Sequence, residues 1–128
     1  MSFVCELNQT RTAKALFKLA SEDPPIRETA KGIGKEICCL IPLRAWYRWV
    51  PDLRRRVHVQ LGTVGYWPHG GYLCFFFGPR PGDSDRDIKA HAPVVVVGTI
   101  TKGLEQIEHF EECSMMEIRG RVEKDERR

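Results

Sequence analysis

Few of the reactive side chains in this sequence fall at a spacing that could build a metal or catalytic site. The four histidines show no HxH or HxxxH spacing and the five cysteines contain no CxxC pair, so three metal ligands would have to converge from separate loops. Cys38 and Cys39 are adjacent in an apolar run, so in a strand their side chains face opposite sides and cannot share one site. We therefore predict no bound metal and no cofactor.

The acidic stretch Asp83-x-Asp85-x-Asp87 has the alternation of a calcium-binding loop. The glycine at the sixth position and the bidentate glutamate at the twelfth position are both missing. We therefore interpret this stretch as a solvated loop. The sequence also shows no glycine-rich phosphate loop and no Ser/His/Asp arrangement.

The segment 44–56 interleaves aromatic side chains with arginines, which leaves three interpretations open. The ordinary one is a solvated loop, the second is a contact between two copies of the chain, and the third is stacking of single-stranded nucleic acid. We rank them in that order, so a homodimer contact is preferred to nucleic acid as a partner. The candidate contact residues are Trp46, Tyr47, Trp49, Arg54, Arg55 and Arg56.

The elements that must position such residues are mostly short strands. Apolar residues at helical spacing predict one amphipathic helix over 11–20, which residues 8–10 can cap and Pro24-Pro25 must end. Alternating or β-branched runs predict the strands. We place strands at 3–7, at 57–59, in a hairpin of 63–67 and 72–77, at 93–100 and at 115–122, with two more joined by a corner at Gly32 and Gly34.

Seven or eight strands at this spacing, with one helix, favour a closed antiparallel β-barrel, because a parallel sheet would need crossover helices that the sequence lacks. We expect one domain over residues 1–122 and a frayed charged tail over 123–128.

The predicted hairpin carries the best candidate for a binding wall. Small barrels bind ligands at a mouth lined by aromatic residues and a few polar groups. Because side chains alternate along a strand, either Tyr72, Cys74 and Phe76 or Leu73, Phe75 and Phe77 face the interior. The alternative is that most of these side chains pack in the hydrophobic core and bind nothing. The predicted pocket residues of this wall are Tyr66, Trp67, Tyr72, Phe75, Phe77 and Arg80.

The run from Gly62 to Pro81, GTVGYWPHGGYLCFFFGPRP, resembles the YWP-x-G…FFGP signature of a small prokaryotic family with a cyclophilin-like barrel. The stretches 8–19, 37–42 and 92–98 are similar to the same family, so the resemblance covers roughly residues 3–122. The family commonly has a WGDE-like corner where this chain has Ile33-Gly-Lys-Glu36, which keeps Gly34 and Glu36. The resemblance implies a cyclophilin-like barrel of unassigned activity, with Glu36 beside the aromatic wall as its polar partner.

The resemblance leads us to expect a binding module for a small molecule or an extended peptide, and prolyl isomerisation is the alternative. That reaction needs an apolar pocket and a donor to the twisted amide, in cyclophilins an arginine. The Phe-His-Arg-type and Ser-Gln-Phe-Phe-type strands of the true cyclophilins are absent here. Arg27, Arg44 and Arg80 are the candidates to replace that arginine.

Composition limits the partners and the cellular compartment that we expect for the protein. The chain has 128 residues, and its 20 Lys and Arg against 17 Asp and Glu leave a formal charge of only +3, too small to indicate a dedicated nucleic-acid protein. Its five cysteines are an odd number without a secretory leader, which favours free thiols in the cytoplasm. No apolar stretch approaches the roughly 20 residues of a membrane span, so we expect no membrane partner.

Overall fold

A computed structural model describes residues 2–33, 36–43, 55–78, 88–109 and 113–121. These described residues form eight strands, one α-helix and one 3₁₀ helix. In chain order these are β1 (Val4–Leu7), α1 (Arg11–Ala20), β2 (Ile26–Ile33), β3 (Glu36–Leu40), β4 (Arg55–Val59), β5 (Thr63–Trp67), β6 (Tyr72–Phe76), β7 (Ile88–Lys102), the 3₁₀ helix (Leu104–His109) and β8 (Met115–Ile118). No helix in the described part of the chain is long and apolar enough to cross a membrane.

The strands form one antiparallel sheet in the order β1-β7-β5-β6-β3-β2-β8, with β4 also paired to β7. Val95 of β7 pairs with Arg55 of β4 and with Tyr66 of β5, so β4 and β5 lie on opposite edges of β7. Farther along β7, at residues 98–102, β1 pairs with the edge opposite β5. This is the same edge that β4 occupies at residues 88–95. The 15-residue β7 therefore joins two parts of the sheet.

The sheet curls into a half-barrel that is open, so the prediction of a closed barrel is wrong. Among the described residues, β8 pairs only with β2 at one end of the order, and β1 pairs only with β7 at the other. Closure would require backbone hydrogen bonds between these two ends. Helix α1 lies near both of them instead: it contacts β1 and β7, and the Gly120 N–H just beyond β8 donates to the Ala20 carbonyl over 2.9 Å.

Local interactions explain where α1 begins. The Asn8 side-chain nitrogen donates to the Val96 carbonyl of β7 over 2.8 Å, and the Asn8 side-chain oxygen accepts from the Thr10 N–H over 3.1 Å. Thr10 is the N-cap, and its hydroxyl accepts from the Ala13 N–H over 3.1 Å. This chain of hydrogen bonds satisfies helix donors that would otherwise lack partners and ties the start of the helix to the sheet.

The sheet has apolar side chains on both faces, which we call inner and outer. The inner face packs against α1 and includes Ile37, Cys39, Leu73 and Phe75. The outer face carries a second, smaller cluster with Cys38, Cys74 and Phe76 from β3 and β6. The alternation that the sequence left open is therefore resolved with Leu73 and Phe75 on the inner face.

The outer cluster is covered by what we call the arm, which consists of β4 and residues 88–94 of β7. Val59, Ile88 and Ala90 of the arm belong to the same cluster as Phe76. Gly65 permits this close packing, because a Cβ at that position would lie 2.7 Å from Val94 Cγ2 and 3.3 Å from the Phe76 ring. The arm thus forms a second layer over the sheet.

Candidate functional site

A cavity of about 160 Å³ lies on the outer face between the arm and strands β3, β5 and β6. We call it the outer cavity. It is mainly apolar, and it is lined by Glu36, Cys38, Trp67, Tyr72, Cys74, His91, Ala92 and Val94. Five residues on the outer face of β3, β5 and β6 and three residues of the arm therefore line one site, and the five share a face because side chains alternate along each strand.

One wall of the outer cavity is an aromatic stack. Trp67 and Tyr72 are register partners at the end of the β5–β6 hairpin, and their ring centroids are 5.8 Å apart at an interplanar angle of 19°. Gly70 makes room for the indole, because a Cβ there would lie within 2.8 Å of three Trp67 ring atoms. The turn therefore sets the position of this wall.

Glu36 begins β3, where it is the register partner of Phe76, and it is only 3% exposed. It lines the outer cavity together with the sulfur of Cys74, and its charge is one of the influences that raise the pKa of that thiol. Burying a carboxylate this deeply costs free energy unless polar or charged groups around it compensate for the lost hydration. Its position therefore gives an otherwise apolar cavity one strongly polar feature.

Two thiols form the floor of the outer cavity. The Cys38 S–H donates to the Cys74 sulfur over 3.1 Å, and the two residues are register partners on β3 and β6. The hydrogen bond with Cys38 raises the pKa of Cys74 far above its ordinary value, and burial and neighbouring negative charge raise it further. Cys74 is therefore held as a thiol at neutral pH.

Cys39 confirms that adjacent cysteines on a strand face opposite sides. It lies in the inner cluster, where burial is the main cause that raises its pKa to about 12. It cannot reach the outer cavity, because the strand directs its side chain to the other face.

The arm closes the other side of the outer cavity with Ala92, Val94 and the exposed His91. More basic groups lie nearby on the arm and the hairpin turn. Arg55 and Arg56 are exposed on β4, and the Arg55 guanidinium lies 2.8 Å from His69 Nε2 in the turn between β5 and β6. The mouth of the cavity is thus more polar than its floor.

The structure divides the predicted pocket residues between the two faces. Glu36, Trp67 and Tyr72 line the outer cavity. Tyr66 and Phe75 lie instead in the inner cluster, 1% and 4% exposed, because they occupy the opposite parity of their strands. Phe77 is half-buried and packs against that inner cluster. Arg80 lies outside the described residues.

Tyr66 and Phe75 have structural roles in the inner cluster. The Tyr66 hydroxyl donates to the Ile41 carbonyl over 2.8 Å and accepts from the Leu43 N–H over 3.1 Å, so it secures the backbone beyond β3. The Phe75 ring packs edge-on against Phe3, with centroids 5.0 Å apart.

The sequence analysis missed Cys38, Cys74, His91, Ala92 and Val94 as lining residues. Strand parity was the available signal for Cys74, because it shares a face with Tyr72. The contribution of the arm had no such signal, since it depends on how the two layers pack.

Of the three arginines proposed for isomerisation, only Arg27 lies within the described residues. Arg27 on β2 forms an ion pair over 2.9 Å with Glu117 on β8, and its side chain is 58% exposed and outside the outer cavity. Hydrogen bonds from Arg119 and Arg27 lower the pKa of Glu117 below its ordinary value. Arg44, Trp46, Tyr47, Trp49 and Arg54 lie outside the described residues. The described histidines, cysteines and carboxylates form no group of three that could hold a metal ion.

A second, more open cleft of about 220 Å³ lies where the end of α1 meets β2 and the residues after β3. Its lining includes Leu19, Pro24, Pro25, Leu40 and Pro42. It has neither an aromatic stack nor a buried carboxylate of the kind that lines the outer cavity, so we consider the outer cavity the better candidate site.

Comparison with known proteins agrees with this architecture. The model of a family described as cyclophilin-like matches residues 1–119. The chain is similar to a hypothetical protein from Archaeoglobus fulgidus whose solution structure is known. The two chains are 25% identical with a TM-score of 0.67, over 91% of this chain and 85% of the other. None of the curated proteins matches the chain at a significant level.

Proposed function

This chain belongs to the cyclophilin-like family, and we propose that it is a binding module that receives one apolar or aromatic group of a small molecule or an extended peptide in the outer cavity. The observation that carries the proposal is the arrangement of the Trp67–Tyr72 stack around an apolar floor that contains one buried carboxylate. Sites for small ligands combine apolar and aromatic walls with a few placed polar groups in the same way.

The size of the cavity narrows the class of ligand. A water molecule takes about 30 Å³ in the liquid, so a cavity of about 160 Å³ has room for roughly five waters. That is well below the roughly 300 to 1,000 Å³ of a site that encloses a drug-sized ligand. The ligand group that enters is therefore a single ring or one side chain, and the rest of the ligand lies across the mouth.

The two walls suit a flat apolar group. Trp67 and Tyr72 offer ring surfaces, while Ala92 and Val94 offer small aliphatic ones. Glu36 supports orientation of the ligand, because a donor on the ligand forms a strong, charge-assisted hydrogen bond when it lies within hydrogen-bond distance of the carboxylate. The exposed His91 at the mouth can contact the part of the ligand that remains outside.

Prolyl isomerisation remains a prediction from the sequence. None of the described arginines lines the outer cavity, and an isomerase of this type would therefore depend on Arg44 or Arg80. A proline-limited refolding assay on Arg44→Ala and Arg80→Ala tests that dependence. Nucleic-acid binding and a dimer contact also remain predictions, because four of their six residues lie outside the described part of the chain.

Free thiols support the expected cytoplasmic location. All five cysteines are free, and Cys38 and Cys74 remain unbridged although they are register partners. Thiols in this state are typical of a reducing compartment.

Titration with N-acetylprolinamide and with indole, followed by backbone NMR shifts, tests the proposed site. We expect either probe to shift the amide signals of Cys38, Cys74 and His91. Ala92→Leu adds three carbons to a side chain that lines the cavity, so it should abolish these shifts. Thr99→Leu is the matched control, because it places the same side chain at an exposed position of the same strand outside the cavity.

The proposal fails if neither probe binds at millimolar concentration. It also fails if the shifts cluster around Pro24 and Leu40 of the second cleft, or if Ala92→Leu and Thr99→Leu reduce binding equally.

A further inference from the structure

We propose that Cys38 and Cys74 form a redox-active dithiol at the floor of the outer cavity, which a small-molecule disulfide converts into a reversible cross-strand disulfide. The inference is independent of the identity of the cavity's ligand. It rests on three observations, namely the register of two strands, the position of the sulfurs and their access to a cavity.

The geometry of the two strands suits a bridge. Cys38 and Cys74 are directly opposite each other on antiparallel neighbours, with their sulfurs 3.1 Å apart. Opposite residues of such strands have Cα atoms about 4.5 to 5.5 Å apart, within the range of about 4.4 to 6.8 Å that disulfides span. A bond of about 2.0 Å therefore requires side-chain rotation rather than separation of the strands.

Access combined with a cysteine directly opposite on the neighbouring strand distinguishes this pair from the other three cysteines. Cys38 and Cys74 are only 4% and 5% exposed, but both line the outer cavity, so a small reagent reaches them through its mouth. Cys39 faces the inner cluster, and its register partners are Ala30 and Leu73. Cys5 of β1 pairs with Ile100 of β7, and Cys113 is exposed but lies before β8, outside the strands.

The charge of the surroundings favours the disulfide over other products. The hydrogen bond with Cys38, burial and nearby negative charge including that of Glu36 raise the pKa of Cys74, so a thiolate or an anionic metal complex is unfavourable at this floor. A disulfide is neutral and carries no such penalty. The same penalty makes the first step slow, because thiol–disulfide exchange proceeds through the thiolate.

The reaction balances as a two-step exchange. One cysteine loses its proton, and its sulfur attacks a sulfur of the small disulfide RSSR, which forms a mixed disulfide and releases RS⁻. The second cysteine loses its proton and attacks the protein sulfur of that mixed disulfide, which expels the second RS⁻. The two protein thiols lose two protons and two electrons in total, and RSSR becomes two RSH.

Oxidation changes the floor that a ligand meets. The Cys38 S–H that donates to Cys74 and the Cys74 S–H that faces the Tyr72 carbonyl both disappear. The sulfurs also move closer together beneath the aromatic wall. Both cysteines line the cavity, so a small thiol reductant that enters it should reverse this bridge by the same exchange in the opposite direction.

The test is incubation of the folded chain with 2-hydroxyethyl disulfide, whose short arms suit the small cavity, followed by intact mass measurement and non-reducing peptide mapping with fragmentation between Cys38 and Cys39. We expect the chain to lose the mass of two hydrogen atoms, a single bridge between the peptides of Cys38 and Cys74, and recovery of the original mass with dithiothreitol. Cys38→Ser and Cys74→Ser should each abolish the bridge. Cys39→Ser is the matched control, a buried cysteine on the same strand, and it should leave the bridge unchanged.

Fragmentation of the bridged peptides between Cys38 and Cys39 assigns the bridge in the unmutated chain, so the matter is decided even if a variant fails to fold. A folded chain that forms no bridge under 2-hydroxyethyl disulfide overturns the proposal. A bridge that involves Cys39 or Cys113, or one that forms only after unfolding in urea, overturns it as well.

Discussion

At the scale of single residues, strand parity divides the aromatic side chains of the hairpin into two groups with different roles. Trp67 and Tyr72 form a wall of the outer cavity, while Tyr66 points to the inner face. Tyr66 has a structural role there, because its hydroxyl donates to the Ile41 carbonyl and accepts from the Leu43 N–H. Residue type alone cannot make this distinction, since all three are large aromatic residues with a polar atom.

Tyr66→Phe should destabilise the fold by about 1 to 3 kcal/mol, because it leaves a buried carbonyl and a buried N–H without their partner. Urea unfolding monitored by circular dichroism measures the loss. Tyr72→Phe is the control and should cost less, because Tyr72 is half-buried beside a cavity that water can enter. Equal losses in the two variants would contradict the role assigned to Tyr66.

At the scale of elements, the outer cavity exists because the arm packs over the sheet with a small gap. Gly65 permits that contact, since a Cβ there would lie 2.9 Å from Val94 Cβ. The pattern of the sequence predicts the β5–β6 hairpin and the strand that contains Val94, and the structure has both. The pattern gives no distance between them, because hydrophobic periodicity identifies a buried face but not the partner that covers it.

Gly65→Ala should destabilise the chain by roughly 1 to 3 kcal/mol, because the added methyl group overlaps Val94. Val94→Ala in the same chain should relieve the overlap, so the double variant should lose less stability than the sum of the two single variants. Chemical denaturation of all four chains measures this coupling.

Val97→Ala is the matched control for the coupling, because Val97 lies on the same strand but in the inner cluster. Its loss should add to that of Gly65→Ala. Coupling of similar size at Val94 and Val97 would contradict the packing of the arm against Gly65.

At the scale of the whole molecule, the two ends of the sheet are not joined. The described part of β8 pairs only with β2, whereas β6 has β5 on one edge and β3 on the other. The resemblance to the cyclophilin-like family is confirmed over residues 1–119, but family membership does not by itself close the barrel. Helix α1 lies near both ends, through contacts with β1 and through the hydrogen bond between Gly120 and Ala20.

Native-state hydrogen exchange should show the difference between β6, which is paired on both edges, and β8, which lies at one end of the sheet. Amides of β6 should exchange only through global unfolding, because both of its edges are paired. Amides of β8 should exchange faster through local opening, because one edge of β8 has no described strand beside it. Exchange measured residue by residue by NMR checks the difference, and equal protection of β6 and β8 would indicate that the barrel closes in solution.

The local pattern of residues was sufficient for the elements themselves. Helical spacing, with capping candidates at residues 8–10, predicted α1 at 11–20, and two apolar runs on either side of residues 68–71 predicted the hairpin. These features depend on interactions between residues close in the chain, which the order of residue types encodes directly.

The site depends on contacts between residues far apart in the chain. The partnership of Cys38 with Cys74 needs the register of β3 against β6, and the place of His91 in the cavity needs the arm to fold over the sheet. The open edge likewise depends on how strongly the sheet curls. Such features arise from the packing of one layer on another. Sequences with the same hydrophobic periodicity pack their layers in different ways, so the periodicity does not determine these features.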